Sequence, residues 1–348
     1  MKWNYRIVYG FLMGMLLAAC ATKEAYKDCV PFTFEDFPQE ITLRSEPVEF
    51  DEPVMLPRVL AIKDSILLVQ NSQTENFLHI YDLAHGKKLK GCLPFGMGPE
   101  EFLRVKHIQV VDSLLYVFDN DKGTMTGYVI RDLVTQDTAR CVSRVRIEDP
   151  MQQALRCGDK YVALTLHPDR KRLTFYDEEG NLLDSTGEFP EINRELTPVE
   201  RMVSFLAEMA CTDDRLFVSY MQTDLLELYD VEGSLLKRMQ GPDGFFPHIR
   251  EVSDGRYSKT TSVKGESRDA YFTPVAVNGK FYVSYTGAVR LPTRVSPVRD
   301  ILVFDKDGNP LTRYRLPEPI IRFTVSPETG VIYAISDQPE YHIIKLVE

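Results

Sequence analysis

Asp64-Ser65-Ile66-Leu67-Leu68-Val69 and, 48 residues on, Asp112-Ser113-Leu114-Leu115-Tyr116-Val117 are two copies of one phrase: a tight turn, then an apolar strand. Gly158-Asp159-Lys160-Tyr161-Val162-Ala163 and Asp213-Asp214-Arg215-Leu216-Phe217-Val218 repeat it more weakly. Asn278-Gly279-Lys280-Phe281-Tyr282-Val283 and Thr329-Gly330-Val331-Ile332-Tyr333-Ala334 bring the copies to six. A second phrase, an apolar strand running into Asp, trails the first five copies and ends at Asp82, Asp132, Asp177, Asp230 and Asp305. Four of these reach a glycine soon after, at Gly86, Gly180, Gly233 and Gly308. Asp accepts local backbone hydrogen bonds and Gly takes positive φ, so the pair reads as a hairpin turn.

A repeat that cannot bury both faces of its own sheet is stabilised by stacking on its neighbours. The strands are short, β-branched and aromatic, and each unit of about 45–65 residues has room for four of them, the size of a propeller blade. The last unit, from Ile320 to Glu348, has room for only three. A spare strand lies between Glu40-Ile41-Thr42-Leu43-Arg44 and Phe50. The expected fold is therefore all-β: a six-bladed β-propeller over residues 39–348, its last blade closed by an N-terminal strand. Arg201 to Met209 comes nearest to a helical pattern and reads as an irregular lead into the fourth repeat.

Lys2 and Arg6 precede an uncharged run from Ile7 to Ala19. Thirteen helical residues span about 20 Å, short of a bilayer core, so residues 1–19 read as a signal peptide. The run closes on Leu17-Ala18-Ala19-Cys20, which resembles the bacterial lipobox. That resemblance implies cleavage before Cys20, acylation of Cys20, and residues 20–38 as lipid anchor and tether. Removing residues 1–19 leaves 39 basic residues against 51 acidic ones, a net charge of −12. Such a chain lacks the basic footprint of a nucleic-acid binder.

Five further cysteines, Cys29, Cys92, Cys141, Cys157 and Cys211, form no framework of spacings. Cys157 and Cys211 fall at matching points of consecutive repeats, which we expect to lie too far apart to bridge; no disulfide is expected to hold the fold. His79, His85, His107, His167, His248 and His342 are scattered without metal-ligand spacing and read as structural or surface residues. Asp119-Asn120-Asp121-Lys122-Gly123 puts glycine where a calcium loop needs a ligand, so it reads as a turn. No nucleophile elbow, P-loop or dinucleotide fingerprint occurs, and no metal or cofactor is expected.

Phe95-Gly96-Met97-Gly98-Pro99-Glu100-Glu101-Phe102 resembles the G-x-G-P-x-E-F signature of the TolB-like six-bladed propeller lipoproteins of Gram-negative bacteria. Leu115-Tyr116-Val117-Phe118-Asp119 resembles the blade phrase of NHL-type propellers. Physically, Gly96 and Gly98 permit tight backbone, Pro99 fixes φ, and Phe102 is placed to plug between two blades; Glu100 and Glu101 could instead hold a ligand. Gly241-Pro242-Asp243-Gly244-Phe245 echoes the motif. The resemblance implies attachment to the outer membrane of a Gram-negative bacterium, on its periplasmic or surface side, and no established activity. We expect a non-catalytic binding or scaffolding protein for a protein, small molecule or glycan. The alternative is a hydrolase, lyase or lactonase with its site at the channel mouth, and the residues lining that channel discriminate the two. The charged insertion from Gly241 to Thr273 is either disordered or a recognition surface.

Overall fold

The computed structural model describes residues 26–72, 75–147, 151–165, 167, 170–192, 195–253, 255, 258–290 and 296–348. The signal segment and Cys20 lie outside them. Six antiparallel sheets succeed one another along the chain: blade 1 over 57–94, blade 2 over 105–146, blade 3 over 151–186, blade 4 over 207–240, blade 5 over 271–320 and blade 6 over 322–347. Within each blade the strands follow sequence order, and the first strands of successive blades touch one another in a closed cycle. The first strands therefore ring a central axis. All six copies of the turn phrase fall between a blade's first and second strands. Asp64, Asp112 and Asn278 take φ of 52°, 53° and 51° there, the left-handed backbone such hairpins need.

Strand alternation distributes the core. Leu68 faces blade 2, whereas its neighbours Leu67 and Val69 face blade 6; Leu115 and Val117 face blade 1, and Tyr116 and Phe118 face blade 3. Each of the six blade interfaces thus receives its own apolar cluster. The strand-ending aspartates act as the turn chemistry requires. The Oδ1 atoms of Asp177, Asp230 and Asp305 accept from the backbone amides of Asn181, Ser234 and Asn309 at 2.7, 2.7 and 2.8 Å. Blade 2 departs from the pattern: its third strand stops at Val129, and a helix, Ile130–Thr135, takes up Asp132.

Arg44–Val48 pairs antiparallel with His342–Val347 and completes blade 6, as the sequence implies. Two more N-terminal strands add fifth members in parallel: Cys29–Pro31 beside Leu235–Gln240 of blade 4, and Gln39–Thr42 beside Pro310–Ile320 of blade 5. The tether expected up to residue 38 is therefore corrected from Tyr26 onward. Tyr26 is 2% exposed and stacks on Phe246 at 4.7 Å, while Phe32 and Phe37 pack on Phe304. Their aromatic surface outweighs the polar residues between them.

Two other expectations change, the irregular lead into the fourth repeat and the absence of a disulfide, and the insertion whose order was left open takes a defined form in its described residues. Pro198–Ser204 is a helix, opened by a reciprocal cap in which Glu200 N donates to Thr197 Oγ1 at 3.2 Å and Thr197 N to Glu200 Oε2 at 3.1 Å. The Gly241–Thr273 insertion holds a hairpin, Ile249–Ser253 with Ser258–Ser262, set against that helix. Cys157 and Cys211 form a disulfide, with Cα atoms 6.0 Å apart. Both stand at the ends of innermost strands, where blades converge on the axis, so matching points of neighbouring blades come within bridging distance. Cys92 and Cys141 lie in outer strands and remain free, as does Cys29.

Candidate functional site

The innermost strands enclose a channel of about 580 Å³ along the axis. A four-stranded meander puts its first and third turns at one end and its second turn, with the link to the next blade, at the other. The hairpin end carries Asp112, Asp213, Asn278 and Glu328. The linking end carries Lys106, His107, Glu208, Thr273 and Arg322.

The backbone at the linking end is irregular. The first strands of blades 1, 2, 3 and 5 each lose register where they begin, between Pro57/Val59, Val105/His107, Met151/Gln153 and Phe272/Val275. Bulges of this kind re-aim side chains and recur beside functional sites. Lys106 and Thr273 sit on two of them. Thr273 has φ of 50°, a left-handed conformation that a β-branched residue adopts only when its surroundings impose it. Here its amide donates to Glu208 Oε2 at 2.7 Å and its hydroxyl accepts from Arg322 at 2.9 Å. Arg322 also donates twice to Glu208, at 2.8 and 2.7 Å. The fork-to-carboxylate geometry joins blades 4 and 6 across the channel.

Burial works against the Glu208 carboxylate, but Arg322, the Thr273 amide and the guanidinium hydrogen bonds outweigh it and hold its pKa below the usual range. Burial lowers the His107 pKa to about 4, Glu208 raising it and Arg322 lowering it further, so the imidazole is neutral at pH 7. Burial and Arg104 lower the Lys106 pKa, opposed by Asp121 and Glu208. The linking end thus offers a neutral imidazole, a satisfied ion pair and the Lys106 amine. Among the described residues, no group of three His, Cys, Asp or Glu is arranged to hold a metal.

The loop singled out in the sequence lies outside this set. Glu101 closes it on itself, accepting from Gly98 N at 2.7 Å. A Cβ at Gly96, where φ is 155°, would lie 2.0 Å from the same carboxylate, so only glycine fits. Lys122 Nζ donates to Gly98 O and Glu101 O, both at 2.6 Å. Glu100 forms a two-pronged pair with Arg144 of blade 2 at 3.1 and 3.0 Å. Phe102 is buried against Phe77 of blade 1 and Tyr128 of blade 2. Pro99 stands within this turn, and the whole motif ties blade 1 to blade 2. Gly241 repeats the backbone state of Gly96, with φ of 157° at the exit from blade 4.

Sequence spacing did not single out His107, Glu208, Thr273 or Arg322. Glu208 and Arg322 are 114 positions apart and meet only because the ring closes.

No curated protein sequence matches the chain. Among solved structures, it resembles a Bacteroides fragilis protein named as a candidate exported protein, at 11% identity and a TM-score of 0.55, over 89% of this chain and 98% of that one. A DUF4221-family member from Bacteroides vulgatus is similar at 11% identity and a TM-score of 0.55, over 87% and 95% of the two chains. At that identity the likeness is one of fold. The profile described as TolB-like 6-blade propeller-like matches residues 33–328, and the chain belongs to that family.

Proposed function

We propose that this protein is exported, anchored through acylated Cys20 at the outer membrane of a Gram-negative bacterium, and works there as a non-catalytic binding or scaffolding protein. The observation that carries the non-catalytic reading is the state of Glu208. Arg322 and the Thr273 amide already occupy both of its oxygens, and its lowered pKa makes it a poor proton acceptor for general-base work. The Cys157–Cys211 bridge supports export to an oxidising compartment. The Bacteroides fragilis relative, named as a candidate exported protein, supports the same location.

The anchoring reading is tested by mass spectrometry of the mature N-terminus: an acylated chain beginning at Cys20 is expected, and an unmodified chain beginning elsewhere overturns it. Trp3 is the only tryptophan, so tryptophan emission from the purified protein would reveal a retained signal. For the non-catalytic reading, ester, lactone and glycoside substrates are incubated with wild type and Glu208→Gln. Turnover by wild type that the variant loses would establish the enzyme alternative.

A further inference from the structure

Tyr26 is buried on the linking side of the ring, between the helix Pro198–Ser204 and the insertion hairpin. It stacks on Phe246, three positions before the hairpin strand Ile249–Ser253, and meets Phe205, which caps the helix, edge-on at 6.3 Å. Its hydroxyl is hydrogen-bonded to Thr223 in the second turn of blade 4, and Lys27 pairs with Glu191 of the link between blades 3 and 4 at 3.7 Å. Cys20 is six positions before Tyr26. Six residues, however arranged, reach no more than about 20 Å. An acyl group on Cys20 therefore keeps this part of the linking side within about 20 Å of a bilayer surface.

The hairpin beside Tyr26 has two unlike faces. Ile249 is buried, and Glu251 and Thr260 are half-buried, on the face set against the helix. Alternation puts Arg250, Val252, Lys259 and Thr261 on the other face, and all four are exposed, Val252 by 46%. That face carries two cations and a valine and, among the described residues, no carboxylate. Among the described residues neither cation has an ion-pair partner. An acidic chain is repelled by an anionic bilayer unless a local cationic face meets it.

We propose that this outer face of the hairpin docks on the anionic phospholipid headgroups of the membrane that holds Cys20, so that the propeller stands with the linking side of blades 3 to 5 toward the bilayer. It rests on the anchoring reading above and adds an orientation to it. Arg250 and Lys259 meet lipid phosphates, and Val252 beside them reaches the boundary of the acyl chains. Two cations near an anionic surface favour the docked arrangement about tenfold or more. The acyl anchor makes docking intramolecular, so contacts too weak to recruit a free protein suffice.

Removing residues 1–19 removes Trp3, the only tryptophan, so Val252→Trp puts a single reporter on the hairpin. Leu89→Trp, at an exposed position in the outer strand of blade 1, puts one across the ring. Both are made in the full acylated chain and reconstituted on phosphatidylcholine vesicles with and without phosphatidylglycerol, with brominated lipid as quencher. Every variant is expected to melt at the wild-type temperature. With phosphatidylglycerol present, Val252→Trp is expected to lose about half of its emission or more to the bromines, and Leu89→Trp none. Omitting phosphatidylglycerol, or adding Arg250→Gln with Lys259→Gln, is expected to cut that quenching about twofold or more. Equal quenching at positions 89 and 252, or quenching that survives the loss of both cations, would overturn the proposal and leave the anchoring reading standing. Flotation with the vesicles without quenching at position 252 would do the same and leave the face to a protein partner. A chain that does not float with vesicles would overturn the anchoring reading itself, and the proposal with it.

Discussion

Gln153 of blade 3 grips the backbone of Met209 in blade 4 with both ends of its amide: Oε1 accepts from Met209 N at 2.7 Å and Nε2 donates to Met209 O at 3.1 Å. Met209 lies on an innermost strand, whose axial edge pairs with no further strand among the described residues. Gln109 of blade 2 does the same for Arg156 of blade 3, at 2.8 and 2.9 Å, and Gln70 of blade 1 donates to Val105 O of blade 2. Glutamine side chains thus satisfy edge groups that a central sheet would satisfy with another strand.

Replacing Gln153 by Ala should leave the Met209 amide and carbonyl unpaired in a site where the glutamine is 4% exposed. A loss of about 2–4 kcal/mol is expected by urea unfolding, set by the desolvation of two buried backbone groups. Glu at this position sets a buried carboxylate oxygen against the Met209 carbonyl, so at neutral pH it should be at least as costly as Ala.

The Cys157–Cys211 bridge closes a loop with a sequence separation of 54 and links blades 3 and 4 at the axis. Cys157→Ser with Cys211→Ser should cost about 2–4 kcal/mol. A reductant should lower the melting temperature of wild type and not of the double variant. Serine at Cys92 or Cys141 should not abolish that reductant dependence.

Tyr26 is the first described residue of the docked N-terminal chain, and it is buried. Tyr26→Ala should cost about 3 kcal/mol, the range for emptying a buried aromatic site. A chain beginning at residue 49, stripped of the strands on blades 4, 5 and 6, should unfold at a far lower denaturant concentration than one beginning at Cys20.

Two groups, buried Asp224 and half-buried His107, give opposite pH slopes. Burial raises the Asp224 carboxyl from 3.8 to about 7, against the pull of Tyr271 and the amides of Gly244 and Asp243. Its folded form binds the proton more tightly, so its contribution is fullest below its unfolded value and is lost as pH rises through about 7. His107 is depressed from 6.5 to about 4; its contribution is present above 6.5 and is lost as pH falls through about 4. Asp224→Asn should therefore remove a loss of stability on going from about pH 5 to 8, and His107→Gln a loss on going from about pH 6.5 to 4.5. Urea midpoints across this range check both signs.

The sequence by itself carried everything encoded over short distances. Turn chemistry at Asp64, Asp112 and Asn278, and apolar alternation in the strands that follow, are local, so six blades were legible. The missing fourth strand of the last blade pointed to Arg44–Val48. Phe102 was legible as an inter-blade plug because the loop around it is a compact motif. The helix at Pro198–Ser204 was present in the sequence as Thr197-Pro198-Val199-Glu200 and lost to the expectation of strands everywhere. Tertiary structure alone decided the rest. Radial convergence brings the ends of first strands together at the axis, where Cys157 meets Cys211 and Glu208 meets Arg322. Bulges turn Lys106 and Thr273 toward that axis, and no spacing along the chain encodes which residues a closed ring sets face to face.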